Sequence, residues 1–237
     1  MKILIITTSH EQLGNTGRKT GVWLEELAVP YYIFKDAGAE VTLASPLGGP
    51  IPIDPKSESI IASTSTIRRF QKDMEAISLM AHSIPLDTLR AADFDMAFLP
   101  GGHGAIWDFP GDDNLVQLIE DFDRQNKIVG LLSYAVSVLA SMNAGDGEPF
   151  VKGKDLTGFS NTEEKLAGLT GIIPFSLETK LIAGKAYYSK AADYVCHAVT
   201  NRHIVTGQNA ASSAEVAKKM LLLLKEASWN KPVPLPY

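Results

Sequence analysis

Residues 127 to 142 read KIVGLLSYAVSVLASM. The first six, Lys127 to Leu132, are apolar after the leading lysine and partly β-branched with no polar alternation, which is the pattern of a short strand buried on both faces of a sheet. From Ser133 onward the same stretch reads as a helix. A buried strand that runs without a spacer into a helix is what a parallel sheet with crossover helices produces, and it places Ser133 and Tyr134 at the bend. Whether Ser133 is a nucleophile presented on a sharp turn or an ordinary small residue is the question the bend raises.

The pattern repeats on both sides of this stretch. Upstream, Phe94 to Leu99 is an apolar strand that runs into the three-glycine loop PGGHG, Pro100 to Gly104, and NLVQLIEDFDRQ is the amphipathic helix that follows. Nearer the N-terminus, Lys2 to Thr7 reads as a strand, VWLEELAVPYYIFKDAG as a helix ending at Gly38, and AEVTLAS as the next strand. PLGGPIPIDPKS is too rich in glycine and proline to be anything but loop. Helical material of weak periodicity from Ile67 to Arg90 is expected to cap one end of the sheet. Downstream, HAVTNRHIVTGQNAASS predicts a hairpin around Thr200 to Arg202, and AEVAKKMLLLLKEA the closing helix. The proline-rich tail WNKPVPLPY is expected on the surface, free or against a neighbouring subunit. No repeat, low-complexity tract or linker divides the chain, so residues 1–237 are read as one α/β domain.

Composition excludes several classes of function. With 45% hydrophobic and 21% charged residues, the 237-residue chain can bury one sizeable core. A formal charge of -5 offers no basic face for nucleic acid or anionic lipid, so neither is expected as a partner. Cys196 is the single cysteine, which rules out an internal disulfide framework and a multi-cysteine metal site and fits a reducing, cytoplasmic compartment. The opening MKILIITTSH carries too short an apolar run for a signal peptide, and no segment approaches the length of a membrane span.

Three segments can carry chemistry. In PGGHG, glycines allow backbone amides to approach an oxyanion, but no Gly-Lys-Ser/Thr follows to make a phosphate loop. At the bend, a nucleophile elbow wants small residues two positions either side; Ala135 satisfies this and Leu131 does not, and no histidine flanks Ser133 to act as its base. Glu25 and Glu26 on the first long helix read as solvated acids, or as a carboxylate that exchanges a proton with a neighbour if burial raises its pKa. Glu163 and Glu164 carry the same ambiguity. Histidines 10, 82, 103, 197 and 203 show no metal-binding spacing, so no metal site is expected. Cys196 and His197, as neighbours on a strand, would face opposite ways.

Taken together, LGNTGRKTGVWLEELAVPYYIFKDAGAEVTLASPLGGPIPIDPKS, FDMAFLPGGHGAIWDFP, TGFSNTEE, PFSLET and IVTGQNAASSAEVAKKML resemble the ThiJ/PfpI superfamily. Within it they look like the chaperone and glyoxalase III branch, proteins with a class I glutamine-amidotransferase-like fold. The resemblance runs from the first strand to the last helix. It implies a flavodoxin-like three-layer α/β sandwich with a mostly parallel sheet and a small helical cap, usually dimeric. It also implies a cysteine at the elbow followed by histidine and glycine. In active members the thiolate adds to the aldehyde of methylglyoxal, and carboxylate and imidazole groups move protons until lactate leaves; no external cofactor is required. By the same resemblance Glu26 falls at the elbow-facing glutamate, Gly101, Gly102 and His103 in the loop at the oxyanion and binding site, and Glu164 where some members place the acid that orients the histidine.

The departure lies at the centre. Ser133 stands at the cysteine position, Tyr134 at the histidine position, Ala135 at the glycine position and Val136 at a position commonly proline. A serine hydroxyl is almost wholly protonated without a base, so losing nucleophile and base together is expected to cost several powers of ten in rate. The expected function is therefore a stress-protection protein that acts by binding a small carbonyl ligand or an unfolded client protein. The alternative is an active enzyme in which Glu26 or Tyr134 activates Ser133 toward a small carbonyl such as methylglyoxal, or toward hydrolysis. A third reading makes the emptied pocket a small-ligand sensor or a partner's site.

Overall fold

The computed structural model describes residues 1–59 and 64–229. Its first half contains β1 (Lys2–Ile6), α1 (Leu24–Asp36), β2 (Glu40–Ser45), α2 (Ser65–Phe70), α3 (Met74–Ala81), β3 (Ile84–Pro85) and β4 (Met96–Leu99). Next come α4 (Ala105–Asp108), α5 (Asp113–Arg124), β5 (Ile128–Leu132), β6 (Asp155–Leu156), α6 (Asn161–Leu166), α7 (Leu177–Ala183) and β7 (Tyr187–Tyr188). The hairpin β8 (Ala198–Asn201) and β9 (Ile204–Gly207) and the helix α8 (Ser213–Trp229) close the chain.

Seven strands form one sheet in the order β3-β2-β1-β4-β5-β9-β8. Every pairing is parallel except that of β8 with β9. Alternation along the strands sorts the core into two layers. Leu4, Ile6, Ala97, Leu99, Val129 and Leu131 face α5, whereas Ile3, Ile5, Met96, Phe98, Ile128 and Leu132 face α1 and α8. The result is an α/β three-layer sandwich of flavodoxin-like type, as expected. Parallel strands all point their carboxyl ends the same way, so the loops after β1, β4 and β5 meet at one edge of the sheet.

Three sequence expectations change. The segment after β5 is a pair of tight 3-10 turns, Ser133–Ser137 and Leu139–Ser141, rather than an α-helix; its serines, tyrosine and valines are weak helix formers, and packing on both sides decides its shape. The helical material between Ile67 and Arg90 is mainly α2 and α3, which join the α1 layer through Phe70 set edge-on against Tyr31 and Tyr32. The cap near the end of β5 comes instead from residues 143–197: Gly158 lies against the Ser133 carbonyl and Leu177. The tail after Trp229 lies outside the described residues. Among those described, no helix is long and apolar enough to cross a membrane.

Candidate active site

Ser133 is the first residue after β5 and has φ 54°, in the left-handed region that a side chain occupies only when the surroundings hold it there. Leu131 does not prevent the bend, because its side chain points into the α5 layer of the core. The opposite wall is Gly101. A β-carbon there would come within 2.6 Å of the Glu26 Oε2 atom and 2.8 Å of the Ser133 β-carbon, so only glycine lets the two loops close on each other. Gly102 adds φ 107° and backbone packed against Trp23, which turns the loop back over α1.

Glu26 is buried, against the expectation of a solvated acid. The Gly101 N–H donates to its Oε2 at 2.8 Å. Burial pushes its pKa up to about 8, a rise that Glu25 and Glu163 reinforce and that the Gly101 N–H and the nearby Ser133 hydroxyl only partly offset. At neutral pH this carboxyl is mostly protonated and exchanges its proton readily.

His103 contributes a second titratable group from the same loop. Its Nδ1 lies 2.8 Å from Asp54 Oδ2. That oxygen also accepts from Thr20 Oγ1 at 2.9 Å, and Oδ1 accepts from the Lys56 N–H at 2.9 Å. Burial alone would raise Asp54, but these bonds, the one from His103 foremost, outweigh it and hold the carboxyl below the usual range. A carboxylate can only accept, so Nδ1 donates, and in the neutral form of the ring Nε2 is the nitrogen that carries the lone pair.

Glu26, Gly102, His103, Ser133 and Tyr134 line one cavity of ≈ 330 Å³, together with Trp23, Lys56, Phe159, Tyr194 and Asn209. Sequence reasoning passed over Asp54, Trp23, Lys56, Phe159, Tyr194 and Asn209. Asp54 stands before a proline in what reads only as loop, and the others come from segments distant in the chain. Tyr134 is buried with a hydroxyl that finds no partner among the described residues. Burial first, and then the charge of Glu164, raise its pKa far above the phenol range, so it cannot serve as a base near neutrality. Its ring lies 5.7 Å from that of His103 and 4.8 Å from that of Phe159, which makes one wall aromatic.

Glu164 is also buried but is not among the lining residues; its carboxyl accepts from Ser176 Oγ at 3.1 Å, and burial raises its pKa. Glu163 closes a capping box with Ser160 and accepts from Asn209 Nδ2 at 2.7 Å and the Tyr194 N–H at 2.8 Å, so it braces the pocket from behind. Cys196 is exposed in the loop before β8 rather than on a strand, and His197 Nε2 instead meets Ser189 Oγ at 2.9 Å.

Comparisons with known proteins agree on kinship. Residues 19–223 match the DJ-1/PfpI family. Glyoxalase 3 of Candida albicans is 26% identical over 234 residues, covering 93% of this chain and 97% of its own. The glutathione-independent glyoxalase HSP31 of Saccharomyces cerevisiae is 24% identical, covering 94% of this chain and 98% of its own. Among solved structures, Rapid Encystment Protein 24 KDa (REP24) of Francisella tularensis superposes with a TM-score of 0.90 at 35% identity, over 94% of this chain and 98% of that one.

Proposed function

Because the chain belongs to the DJ-1/PfpI family, we propose that its pocket converts a small α-oxoaldehyde of the methylglyoxal type to the corresponding 2-hydroxy acid, with Ser133 as the nucleophile and Glu26 as the proton carrier. The observation that carries this reading is the Ser133 hydroxyl held at positive φ beside a buried carboxyl whose pKa is about 8. Curated relatives named as glutathione-independent glyoxalases support it.

The chemistry balances without an external oxidant. Ser133 Oγ adds to the aldehyde carbon, and Glu26 takes the serine proton and returns it to the new hydroxyl. Ionised Glu26 then takes the hydrogen from that carbon and delivers it to the ketone oxygen to give an enediol, and passing the first hydroxyl's proton through Glu26 to the neighbouring carbon leaves a 2-hydroxyacyl ester on Ser133 with Glu26 ionised again. The aldehyde carbon is oxidised and the ketone carbon reduced within one molecule. Water releases the acid. Each transfer by Glu26 is a general acid–base step worth about 10²–10⁴ in rate.

The test is methylglyoxal loss and lactate formation by the wild type, Ser133→Ala and Glu26→Gln. Wild-type turnover is expected to rise from pH 6 and level off above about 8, the range set by Glu26. Either substitution should remove it, and wild type without lactate formation would refute the reading.

A binding-only role in stress protection is the second reading, favoured by Tyr134, a buried phenol with no partner and no capacity to act as a base. It predicts a change in fluorescence from Trp23, which lines the cavity, on adding the aldehyde without any acid being formed.

A further inference from the structure

Replacing sulfur by oxygen at an acyl-forming nucleophile moves the difficulty of the reaction. Release of the acyl group needs a base that draws a proton from the attacking water, and an acid to protonate the serine alkoxide, a poorer leaving group than a thiolate. Glu26 already carries the proton transfers of the acylation half, and one of its oxygens is bound by the Gly101 N–H. Tyr134 cannot take the proton.

His103 has what the step requires. Its Nδ1 is fixed by Asp54, itself held at both oxygens, so the ring keeps one orientation and one tautomer. Its Nε2 bonds to nothing among the described residues and is not sealed off, since it is absent from the buried polar atoms left without a partner. The ring stands where two cavities adjoin. One is the Ser133 pocket, and the other, of ≈ 350 Å³, is lined by Arg18, Lys19, Asp54 and Lys56 and shares His103 and Lys56 with the first. Water can therefore approach His103 from the second cavity while the acyl group occupies the first.

We propose that His103, positioned by Asp54 and Thr20, is the general base that releases the acyl group from Ser133. Water adds to the ester carbonyl as its proton passes to His103 Nε2. The tetrahedral intermediate then collapses, breaking the carbon–oxygen bond to Ser133, whose oxygen recovers that proton from His103 Nε2. His103 is left neutral and Glu26 ionised for the next turn, and the released acid loses its own proton to water. This function for an Asp–His pair contributed by two loops rests on the reading of Ser133 as an active nucleophile.

The experiment uses the full chain with methylglyoxal and compares the wild type, His103→Gln, Asp54→Asn and Ser133→Ala, each checked by circular dichroism for an intact fold. In His103→Gln, steady-state lactate formation should fall about 10²-fold or more, while about one equivalent of aldehyde per protein is still consumed. Intact-mass and peptide spectra should show one lactoyl group on Ser133. Asp54→Asn should show the same adduct with a smaller loss of kcat and little change in KM, which a merely structural defect would not give. Hydroxylamine added after removal of free aldehyde attacks esters without a base, so it should release lactohydroxamate from both variants and none from Ser133→Ala. Wild-type turnover with His103→Gln equally active and free of adduct would overturn this proposal alone. A wild type that forms neither lactate nor adduct would overturn the nucleophile reading and this proposal with it.

Discussion

Ser133 is held in a backbone region that costs a side-chain-bearing residue about 1–2 kcal/mol. Ser133→Gly is therefore expected to abolish turnover yet raise unfolding free energy by up to about 1 kcal/mol, the strain relieved less the added entropy of the unfolded chain, measured by urea titration. Glu26 makes the opposite trade. Its folded pKa, about 8, lies well above the 4.5 of an ordinary glutamate. Between those values the unfolded chain has released a proton that the folded one retains, so raising the pH removes stability until the folded group ionises. Glu26→Gln should therefore lose a few kcal/mol less than wild type between pH 5 and pH 9 in denaturant titrations. Of these residues the sequence showed the position of Ser133, because an uninterrupted apolar strand leads directly into it. It did not show the burial of Glu26, which depends on the Gly101 loop closing from 75 residues away, nor the His103–Asp54 pair, which joins two loops that have no pattern of their own.

Elements were legible in proportion to their length and regularity. Strands β1, β2, β4 and β5 and helices α1, α5 and α8 each carry enough apolar residues in register to be recognised, and the hairpin is marked by its turn, where Arg202 has φ 56°. The two-residue strands β3, β6 and β7 and the six-residue helix α6 carry no period to detect, so residues 143–197 remained unassigned. Docking of α2 illustrates why the Ile67 to Arg90 region was misplaced: its anchors are only two side chains, buried Ile67 and Phe70, the latter set edge-on against Tyr31 and Tyr32. Phe70→Ala should cost about 3–5 kcal/mol in unfolding free energy. Because neither Phe70 nor any α2 residue lines the pocket, kcat and KM are expected to stay within about two-fold of wild type at temperatures where the variant remains folded.

Across the molecule, the carboxyls with raised pKa act in one direction. Asp108, at the end of α4, accepts from Thr8 Oγ1 at 2.8 Å and the Ser9 N–H at 2.7 Å, yet burial still pushes it up to about 6. With Glu25, Glu26 and Glu164 raised as well, stability should peak near pH 5 and decline toward pH 8. Asp54, whose pKa is lowered, reverses the slope only in more acidic solution. A thermal melting series across that range is expected to show Tm several degrees higher at pH 5 than at pH 8. Cys196 adds a consequence of another kind. The chain's one thiol stands exposed outside the cavity, so hydrogen peroxide can oxidise it to the sulfinic acid while the pocket itself contains no sulfur for the oxidant to attack. If Ser133 is the nucleophile proposed above, peroxide doses that silence a thiolate-dependent enzyme should leave its turnover intact, which an activity assay after peroxide treatment checks.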